Sequence, residues 1–82
     1  MDTIFLTVSD YPDAEALYTA LGRLLNLPDY FGKNADALYD CLSERPVPVR
    51  LWVSGEGEGE TAAAMKKIVR VVTDLGGTVK EL

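Results

Sequence analysis

Leu27-Pro28-Asp29-Tyr30-Phe31-Gly32-Lys33-Asn34-Ala35-Asp36-Ala37-Leu38-Tyr39-Asp40-Cys41-Leu42 lies at the middle of an 82-residue chain, and its character changes halfway along. Pro28 restricts Leu27 to extended geometry and closes the helix before it. The connector from Leu27 to Lys33 then carries Tyr30, Phe31 and Gly32, and two aromatic rings are unusual for a simple linker. Asn34 is a strong N-cap, from which a short helix is predicted to run to about Ser43, ended by Arg45, Pro46 and Pro48. At roughly 100° per residue, Asp36, Tyr39, Asp40 and Ser43 share one arc of this helix, and Ala35, Leu38, Cys41 and Leu42 lie opposite. One face is expected to be core, the other polar.

On the amino-terminal side, Thr3 to Val8 combines β-branched and aromatic residues in a short apolar run, as expected of a strand buried on both faces. Asp10 and Asp13 are candidate N-caps, and Ala14, Leu17, Leu21, Leu24 and Leu25 recur at helical spacing, predicting a helix from about Asp13 to Asn26. Gly22 inside it costs about 1 kcal/mol relative to Ala. On the carboxyl-terminal side, Pro48 opens a strand over Val49 to Val53, in which Trp52 is expected to pack under a helix. The run Ser54 to Glu60, Ser-Gly-Glu-Gly-Glu-Gly-Glu, reads as a mobile, solvated connector. Met65, Ile68, Val72 and Leu75 then share one face of a helix from about Thr61 to Leu75, with Gly76 suited to its end. Lys66, Lys67 and Arg70 read as its solvated face. Thr78 to Leu82 closes the chain as a short strand.

This order predicts an α/β fold, a single domain over residues 1–82 with a three-stranded, mainly parallel sheet packed with helices, because helical crossovers return successive strands in the same direction. No glycine-rich phosphate loop follows the first strand, which argues against a dinucleotide-binding unit.

Composition narrows the function further. Thirteen acidic residues against eight basic ones give a net charge of −5, so nucleic acid is repelled at long range and a cationic partner is weakly favoured. The chain has no histidine and one cysteine, which removes the commonest general base, the commonest zinc ligand and any internal disulfide. Cys41, flanked by Leu38 and Leu42, is expected to be inert core. No apolar stretch approaches the roughly 18 residues of a membrane span, and Asp2 without early Lys or Arg is unlike a secretory leader. The expectation is a cytoplasmic protein, monomeric when free, with no cofactor and no metal.

Asp36 and Asp40 are like charges at i and i+4, an arrangement that costs a helix a few tenths of a kcal/mol. Asp40 also approaches the carboxyl end of a short helix, where the dipole disfavours an anion. Folding alone would not select two such violations on one face. Together with Tyr30, Asn34, Tyr39, Ser43 and Glu44, the pair outlines a candidate partner-binding surface. Its carboxylates could accept bidentate hydrogen bonds from arginine or stand in for the phosphates of a nucleic-acid substrate. The same pair could serve as an acid/base couple or as magnesium ligands. Against that stand the small chain, the missing histidine and a convex helix face that excludes little water, so the protein is expected not to be an enzyme.

The sixteen residues from Leu27 to Leu42 closely resemble the central signature of the barstar family, intracellular inhibitors of barnase-type ribonucleases, and the order of elements extends the likeness over nearly the whole chain. The resemblance implies that the second helix and its preceding connector plug a ribonuclease active site and protect the producing cell. Tyr30, Asp36, Asp40 and Ser43 match inhibitory positions, with Asp40 in the enzyme's phosphate pocket, Asp36 on nearby basic groups and Tyr30 against the rim. The chain departs from the pattern at Tyr39, where the family has tryptophan, and at Glu44, where it has glycine. It also lacks a glutamate in the stretch Val69 to Val72, and its Gly-Glu run replaces a longer helical insertion. These departures leave open a regulatory module that uses the same scaffold on a different basic protein.

Overall fold

A computed structural model of the chain describes residues 2–28, 31–45 and 48–82. In chain order, β1 (Asp2–Thr7) leads through a 3-10 turn at Val8–Asp10 into α1 (Ala14–Leu24), followed by α2 (Ala35–Ser43), β2 (Val49–Ser54), α3 (Gly59–Asp74) and β3 (Thr78–Glu81). The strands make one sheet in the order β1-β2-β3, with both pairings parallel. Ile4 stands beside Leu51, and Leu51 beside Val79. The expected α/β class holds, with β2 in the centre and helical segments making both crossovers.

Local chemistry fixes where the helices begin and end. Asp13 Oδ1 accepts from the Ala16 N–H at 2.8 Å, capping α1. Beyond the other end, Asn26 adopts a left-handed conformation with φ 53°, and the Leu27 N–H donates to the Gly22 carbonyl at 2.8 Å. This closure satisfies carbonyls that the helix leaves unpaired. The same device ends α3, where Gly76 has φ 85° and the Gly77 N–H donates to the Val72 carbonyl at 2.9 Å. A Cβ on Gly77 would overlap the Val49 carbonyl and lie 2.7 Å from Val72 Cγ1. Only glycine lets the chain pass there on its way into β3.

The core lies between one face of the sheet and the helices. Ile4, Leu6, Leu51 and Val53 are buried against Leu17, Leu21, Leu38, Met65, Ile68 and Val72. Two expectations fail on the other face. β1 is not buried on both sides, because Ile4, Leu6 and Val8 point inward while Phe5 is 59% exposed. Nor does Trp52 pack under a helix: it is half-buried, its ring edge-on to Phe5 at 5.0 Å between centroids, with Lys80 Nζ 5.2 Å from its centroid. Alternation along the strands sends Phe5, Trp52 and Lys80 outward together, and they cover one another in place of a helix.

The Ser54–Glu60 run is also more structured than a solvated connector. Ser54 belongs to β2 and α3 already begins at Gly59. A Cβ on Gly57 would come within 2.5 Å of Val8 Cγ1, and Glu60 Oε1 accepts from the Ala14 N–H at 3.1 Å. Glycine permits the close approach, and Glu60 satisfies an amide that the first turn of α1 leaves open.

Candidate functional site

The short helix α2 could not hold itself in place, since helices of fewer than about 12 residues are marginal alone. Its inner face supplies part of the anchorage, with Leu38 and Leu42 buried and Ala35 and Cys41 half-buried. The connector supplies more. Phe31 packs against the core and meets the Tyr18 ring edge-on at 6.3 Å, while its N–H donates to the Pro28 carbonyl at 2.9 Å.

Both ends of α2 are tied to neighbouring segments. Asn34 Oδ1 accepts from the Ala37 N–H at 2.8 Å, and Asn34 Nδ2 donates to the Gly32 carbonyl at 3.0 Å. A side chain on Gly32 would press on Ala37 Cβ and Asn34 Nδ2, both 3.3 Å away. Lys33, with φ 52°, reaches Glu15 on α1 at 3.7 Å, an exposed pair that contributes little to stability. After the helix, Arg45 Nη1 donates to the Leu25 carbonyl at 2.7 Å, fastening the exit of α2 to the end of α1.

The outward face carries Asp36, Tyr39, Asp40 and Ser43, all exposed, with Glu44 next to them at the helix end. The structure therefore brings five of the seven sequence-predicted residues onto one surface. Asn34 begins the same helix, but its side chain is engaged in capping. Asp29 and Tyr30 lie outside the described residues, as does Pro46. The Ser43 hydroxyl donates to the Asp40 carbonyl at 2.8 Å, so toward a partner it offers mainly its oxygen lone pairs. Among the described residues the Lys33–Glu15 contact is the only ion pair, and none of their cations lies within 4.0 Å of Asp36, Asp40 or Glu44.

Two neighbouring groups register the field of these carboxylates. Burial, reinforced by the charge of Asp36, holds the Tyr18 phenol above its ordinary value of 10.0. Burial, then Glu44, then Asp40 push the Cys41 thiol above its ordinary 9.0. Cys41 is half-buried rather than full core, yet it stays a protonated thiol at neutral pH and a poor nucleophile. Among the described residues no cluster of three Cys, Asp or Glu side chains could hold a metal ion.

One feature of this region escaped the sequence. A groove of about 370 Å³ between α2 and α3 is lined by Asn34 and Asp36 on one side and by Lys67, Arg70, Val71 and Asp74 on the other. On sequence alone Lys67 and Arg70 are polar-face residues of an amphipathic helix. Nothing in their spacing says that this helix lies beside Asp36.

Comparison with known proteins gives two findings. The model of the family described as Barstar (barnase inhibitor) matches residues 1–81. A protein of Bacillus subtilis (strain 168) named "Putative ribonuclease inhibitor YrdF" is 42% identical over 43 residues, which cover 52% of this chain and 47% of that protein. The similar stretch is thus about half the length of each.

Proposed function

The chain belongs to the Barstar family of barnase inhibitors, and from that premise we propose that it inhibits a small basic ribonuclease by presenting the acidic face of α2 to the enzyme's substrate cleft. The observation that carries this reading is the set of three exposed carboxylates, Asp36, Asp40 and Glu44, on one firmly anchored helix, with no ion-pair partner among the described residues. A basic cleft evolved to hold phosphates attracts such a surface and accelerates encounter with it. In this reading Asp40 takes the place of a substrate phosphate and Asp36 pairs with an adjacent cation. Tyr39 and Tyr30 pack against the rim, and Ser43 accepts a hydrogen bond. Asn34 keeps the helix in register through its cap.

The protein then acts as a binder and not as an enzyme, in the cytoplasm of the cell that makes the ribonuclease. The carboxylates sit on a convex helix in open solvent, where little tuning for acid/base work is available. Glu44 favours a second reading, a module directed at a different basic protein, since it adds a charge where the resemblance implies glycine.

Titration calorimetry against a panel of small basic microbial ribonucleases, with RNA cleavage followed in parallel, tests the first reading. The expected result is one-to-one binding that stops cleavage and weakens roughly a hundredfold or more in Asp40→Ala, as when one partner of a desolvated charge pair is removed at a cost of about 3 kcal/mol. Absence of binding across the panel would move the assignment to the second reading.

A further inference from the structure

The groove beside α2 contains an electrostatic feature that a purely basic partner does not explain. Lys67 and Arg70 are exposed and stand one helical turn apart on α3, along the same groove as Asp36. Cations so placed would be expected to neutralise Asp36 or Asp74, yet neither lies within 4.0 Å of a carboxylate among the described residues. Val71, buried, lines the groove beside them. The surface is therefore two-signed, with a strip of carboxylates along α2 and, beside its first turn, two cations that share the groove with Asp36 and Asp74 but stand outside ion-pair distance of any carboxylate among the described residues.

Such a surface discriminates between partners. A ribonuclease that is basic all round its cleft would set its own cations against Lys67 and Arg70, and like charges across an interface cost affinity. One that carries a carboxylate on the cleft rim would gain charge-assisted hydrogen bonds there, bidentate where arginine supplies the donors. Resting on the inhibitor reading above, we propose that the partner ribonuclease places an aspartate or glutamate from the rim of its basic cleft into the α2–α3 groove, between Lys67 and Arg70. The two cations thus set specificity, and Asp36 and Asp40 supply the main attraction.

The sign of one effect decides the matter. Lys67→Ala/Arg70→Ala is titrated into the ribonuclease that the wild type binds best in the panel, beside Asp40→Ala, with the thermal unfolding of each variant measured as a control for folding. The proposal expects the double variant to bind about tenfold more weakly, with Arg70→Lys between it and the wild type. Unchanged or tighter binding of the double variant, while Asp40→Ala still abolishes inhibition, overturns the proposal and leaves the inhibitor reading standing. A panel in which nothing binds overturns both. Replacing the rim carboxylates of the bound ribonuclease one at a time identifies the acceptor, since its loss makes the Lys67→Ala/Arg70→Ala change silent.

Discussion

At Asp40 the proposed binding role and the stability of the fold pull in opposite directions. Its side chain is exposed near the carboxyl end of α2, one turn beyond Asp36, with no cation within 4.0 Å among the described residues, and both placements cost folding free energy. Asp40→Asn is therefore expected to raise the midpoint of chemical unfolding, by an amount equivalent to a few tenths of a kcal/mol, while it weakens partner binding. A variant that lost stability along with binding would mean that the carboxylate supports the fold. Tyr18 answers differently, because its phenol is held above 10.0 by burial and by Asp36. Between the unfolded and folded values the unfolded chain loses its proton first, so this contribution to stability is complete below about pH 10 and declines as pH rises through the folded value. Denaturant unfolding across alkaline pH should show that decline, with a shallower loss in Tyr18→Phe. An identical decline in the variant would assign it to Cys41, whose thiol starts to contribute the same way above about pH 9.

Among the elements, α2 is the one that the proposed function makes a binding surface, and both of its ends are tied to neighbouring segments. Asn34→Ala removes both the acceptor for the Ala37 N–H and the donor to Gly32, and should cost about 1 kcal/mol of stability by denaturant unfolding. Binding should weaken as well if the cap sets the helix direction; unaltered affinity would show that the core contacts of Leu38 and Leu42 suffice. On α1 a Cβ at Gly22 would lie 3.5 Å from the Phe31 ring, an ordinary contact. Gly22→Ala is accordingly expected to stabilise the protein by up to about 1 kcal/mol. A loss instead would show that Phe31 cannot yield and that the helix–connector packing is tight.

Much of this was legible in the sequence for identifiable reasons. Asp13 and Asn34 announce their helices through cap chemistry, and the alternation of apolar and polar residues from Ala35 to Ser43 fixes which side of α2 faces water. What the sequence left out are relations between elements. Thr3 to Val8 is apolar enough to suggest burial on both faces, and only the pairing of Phe5 with Trp52 across β1 and β2 shows that aromatic rings cover each other there. Glu60, within a run of low complexity, satisfies an amide 46 positions away. Lys67 and Arg70 gain meaning only when α3 is seen to flank Asp36. Tyr30, legible as an aromatic anchor, falls outside the described residues.

Over the whole molecule, charge and shape divide the labour between two sides. The acidic face of α2 lies on the helical side of the sheet. The open side carries Phe5, Arg50, Trp52 and Lys80, with Trp52 the sole tryptophan. Partner binding at α2 should leave Trp52 untouched, so the fluorine resonance of protein labelled with 5-fluorotryptophan should not shift when a ribonuclease is added; a shift would bring the sheet face into the interface. Among the described residues no helix is long and apolar enough to cross a membrane. The net charge of −5 favours association with a cationic enzyme at low salt.

If α2 occupies the site where RNA is cleaved, the protein and RNA must compete for the enzyme. Initial rates of cleavage by a bound ribonuclease, taken across RNA concentrations at several fixed amounts of the protein, should show KM rising while kcat stays constant, with Asp40→Ala losing the effect. A falling kcat at unchanged KM, or equal inhibition by wild type and Asp40→Ala, would place the contact away from the active site and rule out blockage of the cleft by α2.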